Sequence, residues 1–156
     1  MSLRLGPVEL EQVHAHLGRA YPEEGCGVLV GRDEGARRVV ERVVVFENQR
    51  EDSRRNRYLI SPEQLLVVER EARQAGLDVV GFFHSHPDHP AFPSAFDLEH
   101  AWPYYSYLIV SVAEGRVVEA RAWRLAADRL RFEPEAIEPA PAGAAPGPTE
   151  TTERSR

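Results

Sequence analysis

The chain has 156 residues, 42% hydrophobic and 28% charged, which suits one soluble globular domain able to bury a real core. A net charge of −6 argues against a nucleic-acid binder, which presents a basic face, and no apolar run approaches the roughly 20 residues that span a bilayer. The one cysteine, Cys26, excludes an internal disulfide framework and suits a reducing cytoplasm.

The opening MSLRLGPVEL lacks the apolar core of a secretory signal and reads as the mature N-terminus. VELEQVHAHLGRAY predicts a helix introduced by Gly6-Pro7, with Val8, Val13 and Leu17 among its apolar positions. CGVLVG reads as a short buried strand closed by Gly31. ARRVVERVVVFEN is a longer β-branched strand, and the turn GRDEG makes the two a hairpin. SPEQLLVVEREARQAG predicts a second helix, with Ser61 as N-cap, Pro62 in its first turn and Gly76 at its end. LDVVGFF is a buried strand leading into two histidines, and SAFDLEHAW is a helix halted by Pro103. YSYLIVSV, GRVVEARAWRL and RLRF complete the expected sheet. The fold class is therefore α/β, a mixed β-sheet flanked by helices.

The last 24 residues, EPEAIEPAPAGAAPGPTETTERSR, hold five of the 12 prolines and no aromatic residue. Such a segment buries too little apolar surface to offset its ordering entropy. The expectation is a domain over residues 1–132 and a disordered acidic tail over 133–156. All 19 basic residues are arginine, which fits codon usage in a GC-rich genome; a chain that handles lysine-linked conjugates would also gain by offering no lysine.

The chemistry concentrates in GFFHSHPDHPAFPSAFD, residues 81–97. Alternate side chains of a strand share a face, so His84 and His86 project together and Ser85 projects away. Pro87 cannot continue a central ladder, which places the pair at a strand end. Ser94 and Asp97 have the spacing of a helix-capping pair, and a capped helix is also a rigid mount for a carboxylate. Two imidazoles and one carboxylate would give Zn²⁺ three protein ligands and leave one position for water, the catalytic arrangement. A structural zinc would want a fourth ligand, usually thiolate, and only one cysteine exists. An open zinc site activates water, and the base for that water would come from Glu23 or Glu24 in YPEEGCGVLVG. Spacing does not choose between them.

His84-Ser85-His86-Pro87, then Pro93-Ser94 and Asp97, resembles the HxHPx₅PSxxD motif of the JAMM/MPN+ metalloprotease family, and PEEGCGVLVG resembles the family's glutamate strand. The resemblance covers most of residues 8–113. It implies the JAB1/MPN, cytidine-deaminase-like fold. It also implies His84, His86 and Asp97 as zinc ligands, Glu24 as general base and proton shuttle, and Ser94 as hydrogen-bond donor to the oxyanion. The implied activity is hydrolysis of an amide at the C-terminus of a ubiquitin-like or β-grasp sulfur-carrier protein in the cytoplasm. No nucleic acid or membrane is involved, and a homodimer is compatible with it. Two rival readings are a non-catalytic zinc-containing module that binds a ubiquitin-like partner, and an amidohydrolase of small molecules.

Other residues invite weaker readings. His89 sits in the loop between ligands, and His100 falls one helical turn after Asp97. His14 and His16, two apart on a helix, face different sides and form no site. Cys26 between glycines reads as packed core rather than a nucleophile. Arg50, Arg54, Arg55 and Arg57 cluster in QREDSRRNR, either as a solvated loop or as a docking patch for an acidic protein.

Overall fold

The computed structural model of the protein describes residues 1–46 and 60–140. Its elements run β1 (Ser2–Leu5), α1 (Pro7–Ala20), β2 (Cys26–Asp33), β3 (Arg37–Phe46), α2 (Pro62–Gln74), β4 (Asp78–Pro87), α3 (Ala95–His100), β5 (Ser106–Ala113), β6 (Arg116–Leu125) and β7 (Phe132–Pro139). The expected hairpin forms: β2 and β3 pair antiparallel from Cys26↔Phe46 to Asp33↔Arg38, with a bulge at Val30/Gly31. β4 pairs antiparallel with β2 and parallel with β5, so α3 lies in a crossover connection between parallel neighbours. The sheet is mixed, as expected, and it closes into a barrel in the order β1-β3-β2-β4-β5-β6-β7.

Both faces of the central strands are buried, which is why CGVLVG, DVVGFF and SYLIVSV read as nearly continuous apolar runs rather than alternations. Val13 and Leu17 of α1 pack with Leu29, Val43, Phe83, Leu108 and Val110. Leu65, Val68 and Ala72 of α2 pack with the other set, including Val28, Val30, Phe82 and Ile109. Ser61 caps α2 through a full capping box with Gln64, and Pro62 opens it without loss of a helical hydrogen bond.

Two parts of the sequence reading change. The N-terminal residues 2–5 form β1, parallel to both β3 and β7, a pairing that leaves no signal in four residues of sequence. The expected tail boundary at 132 is incorrect, because Phe132–Pro139 is a strand of the barrel. RLRF contributes only its Phe132; Arg129 before it takes a positive φ of 64° in the turn. β7 runs antiparallel to β6 and parallel to β1, and buried Glu135 accepts from Arg124 Nε at 2.8 Å. Composition misled here: Pro134 and Pro139 made the segment look unstructured, yet Pro139 sits at the strand's end, opposite Leu5, where a missing N–H costs little. Residues 141–156 of the tail and the Arg50–Arg57 loop lie outside the described residues.

Candidate metal centre and catalytic cleft

β4 delivers the two histidines as its alternation requires. The Nε2 atoms of His84 and His86 lie 3.2 Å apart, in buried side chains. Asp97, in the first turn of α3, brings Oδ1 to 3.2 Å from His84 Nε2 and Oδ2 to 3.0 Å from His86 Nε2. The ligating atoms of the three residues all fall within 4.8 Å of one another. The helix cap is present too. Asp97 N–H donates to Ser94 Oγ at 3.1 Å, and Ser94 N–H donates to Asp97 Oδ2 at 2.9 Å. Capping and ligation are thus one device, since the box that starts the helix also aims the carboxylate. Burial alone would push the Asp97 pKa up. Positive charge set against it, which protonated His84 and His86 supply and a cation between the groups would supply in their place, together with the Ser94 amide, outweighs it and holds the carboxyl far below the usual range.

The donor set fits a cation. His86 Nδ1 lies 2.9 Å from the Pro90 carbonyl, an acceptor only, so Nδ1 carries the proton and Nε2 of the neutral ring is a lone pair. That lone pair faces the Asp97 carboxylate and the Nε2 of His84, an arrangement that needs positive charge between the groups. Two ligands about 2.05 Å from a tetrahedral Zn²⁺ would sit about 3.3 Å apart. The 3.2 Å between the two Nε2 atoms matches that spacing, and each Nε2 has one Asp97 oxygen at 3.0 to 3.2 Å.

The loop from Asp88 to Pro93 is pinned along its length. Ser111 Oγ donates to the His89 carbonyl at 2.6 Å and Trp123 Nε1 to the Ala91 carbonyl at 3.1 Å. Asp88 N–H reaches the Val112 carbonyl at 2.8 Å, and Tyr21 Oη donates to Asp88 Oδ1 at 2.7 Å. These contacts hold the Pro90 carbonyl that fixes the His86 tautomer. Sequence reasoning passed over Tyr21, Ser111 and Trp123, because each acts across the fold and none carries a local signature.

Beside the ligands opens a cleft of about 350 Å³, lined by Glu24, His86, His89, Pro90, Phe92 and Ser94. The structure separates the two adjacent glutamates: Glu23 is exposed, whereas Glu24 is buried in the cleft wall just before β2. Ser94 Oγ uses a lone pair to accept from Asp97 N–H, which leaves its own proton available to a group in the cleft. His89 lines the same cleft but is not one of the converging ligands. His100 is on the surface, stacked on Phe96, with Nδ1 3.0 Å from the Phe96 carbonyl. His16 is buried 3.2 Å from the Phe46 carbonyl, away from any metal cluster among the described residues. Cys26 is fully buried, and burial first, then the charge of Glu24, pushes its thiol pKa up. That is the reverse of an activated nucleophile.

Residues 8–126 match the model of the prokaryotic homologs of the JAB domain. The chain belongs to this family. Its JAB domain is 42% identical over 113 residues to a desampylase of Haloferax volcanii, covering 70% of this chain and 78% of that one. It is 31% identical over 121 residues to a CysO-cysteine peptidase of Mycobacterium bovis, covering 77% and 80%. A solution structure of a Desulfitobacterium hafniense protein superposes with a TM-score of 0.77 at 32% identity, covering 90% of this chain and 93% of that one. The JAMM resemblance and the JAB1/MPN fold expected from the sequence therefore hold, and the matched span includes Glu24, His84, His86, Ser94 and Asp97.

Proposed function

We propose that the protein is a JAMM-type metallopeptidase that hydrolyses an amide at the C-terminus of a ubiquitin-like or sulfur-carrier protein. The observation that carries this reading is the convergence of His84, His86 and Asp97 on one point, beside a cleft that also presents Glu24 and Ser94. The relatives named as a desampylase and a CysO-cysteine peptidase support the substrate class. No helix of the described residues is long and apolar enough to cross a membrane, which is compatible with a cytoplasmic substrate.

His84 Nε2, His86 Nε2 and Asp97 would hold the metal, and their N₂O donor set suits zinc. When bound, such an ion polarises the scissile carbonyl and acidifies water. Glu24 accepts the proton of the attacking water and delivers it to the leaving nitrogen. Ser94 donates its free hydroxyl proton to the oxyanion of the tetrahedral intermediate. The pinned 88–93 loop keeps His86 in the tautomer that presents Nε2 to the ion. Glu24 and Ser94 line one cleft beside the three converging side chains, the set of groups that metal-assisted hydrolysis needs, which favours the hydrolytic reading over a purely binding module.

The test is incubation of the full chain with Gly-Gly-tailed carriers, their C-terminal adducts and their lysine conjugates, read by intact mass. Release of the free carrier is expected, abolished by a chelator and by Glu24→Gln with metal retained. Undiminished turnover by Glu24→Gln would refute the assignment of the base. Hydrolysis of small amides alone would move the substrate class to the amidohydrolase reading.

A further inference from the structure

Ser85, the residue between the two ligand histidines, is fully buried and has no place in the mechanism above. Strand alternation turns it away from the ligand face, toward the segment that carries Glu24. There it makes a two-way tie with Gly25. Ser85 N–H donates to the Gly25 carbonyl at 3.0 Å, and Gly25 N–H donates to Ser85 Oγ at 2.9 Å. The tie sits just ahead of the first β2–β4 ladder pair, Cys26↔His84. On its other side Gly25 is closed in by α1, since a Cβ there would lie 2.8 Å from Leu17 Cδ2 and 2.9 Å from Ala20 Cβ. Gly25 is thus clamped between the ligand strand and a helix, and Glu24 is its immediate neighbour, one Cα step of about 3.8 Å away.

We propose that Ser85 is a positioning residue: its hydroxyl, through Gly25, sets where the Glu24 carboxylate stands relative to the His84–His86 pair. The inference rests on the hydrolytic reading above. One strand then fixes both halves of the machinery, with His84 and His86 on one face holding the ion and Ser85 on the other placing the base. A hydroxyl suits this task because it accepts the Gly25 N–H from a side chain that the strand itself holds rigid. Without it, a buried amide is left to find another acceptor, one half of the two-way tie is gone, and the Glu24 segment can settle at a shifted position. Misplacement of a catalytic group by about 1 Å costs on the order of 100-fold in rate.

The test uses the full, metal-loaded chain and its carrier substrate, with Ser85→Ala, the near-isosteric Ser85→Cys in case alanine does not fold, and Ser85→Thr. Alanine and cysteine should lower kcat on the order of 100-fold, at unchanged KM and metal content, and should speed hydrogen exchange at the Gly25 amide. Threonine, which keeps the oxygen, should restore most of the rate. Wild-type kcat in Ser85→Cys, or no rescue by Ser85→Thr, or metal lost in step with rate, overturns the inference alone. A metal-loaded wild type inert on every carrier substrate would instead sink the hydrolytic reading, and this inference with it.

Discussion

Ser94 caps α3, and the proposed function gives it a second task as oxyanion donor that a pair of substitutions can separate. Its Oγ accepts from Asp97 N–H at 3.1 Å to cap α3, and its proton is free to meet an oxyanion in the cleft. Ser94→Ala removes both. Loss of the cap should cost about 1 kcal/mol of stability, or roughly 3 °C in Tm for a domain of this size. Loss of the oxyanion donor should cost about 100- to 1000-fold in kcat, equivalent to about 2.7–4 kcal/mol. Ser94→Gly keeps most of the cap, because glycine at that position loses only a few tenths of a kcal/mol, but it lacks the donor. The two variants should therefore differ in Tm and match in kcat. Ser94→Thr should keep both functions. Metal content should hold in all three, because Asp97 Oδ2 is oriented by the backbone N–H of residue 94, which every variant retains. Steady-state cleavage of a carrier adduct, thermal melts and metal analysis read these quantities. A rate loss below tenfold in Ser94→Gly, or metal lost in proportion to rate, would refute the oxyanion role and leave Ser94 as a cap alone.

Other expectations follow from single contacts. Trp123→Phe removes the donor to the Ala91 carbonyl and loosens the loop behind His86; metal affinity should fall about 10-fold or more, as for other changes behind a ligand, and an unchanged competition titration would dismiss that support. Cys26 should resist thiol reagents in the native protein and react on unfolding. Its raised pKa means that the folded state keeps a proton the unfolded chain gives up. The contribution is constant below the ordinary thiol range, and stability should fall as pH climbs past about 9; denaturant melts of wild type and Cys26→Ala from pH 7 to 10.5 check the sign, and equal slopes would contradict it. Gly31→Ala places a Cβ against the Val39 carbonyl at the β2 bulge, a backbone group that cannot move aside cheaply. A loss of about 3 kcal/mol in chemical denaturation is expected, and near-wild-type stability would show that the bulge can relax.

The arrangement of the ligands was legible because it is local. His84 and His86 are two apart in a strand and Asp97 is three residues from its cap, so strand alternation and the capping box alone dictate their directions. The same is true of α1, α2 and the β2–β3 hairpin, whose helix starts follow from Pro7 and Ser61-Pro62 and whose turn falls within GRDEG, although β2 runs two residues past the expected stop at Gly31. Glu24 was only half legible. Spacing left it level with Glu23 until the family resemblance separated them, and its burial in the cleft wall depends on what lies opposite.

What the sequence by itself determined, then, is every feature whose partners lie within one turn or one strand: the helices, the apolar runs and the aim of His84, His86 and Asp97. Only the tertiary structure decided that β1 and β7 close the barrel, that Trp123 and Ser111 hold the loop behind His86, and that Ser85 clasps Gly25. Those features join residues far apart in the chain, from Ser111 and His89 at a separation of 22 to Arg4 and Glu138 at 134. Local propensity carries no information about such pairs. They exist because apolar faces must be buried and backbone polar groups must be paired at the same time, and that joint condition is met only by the whole fold.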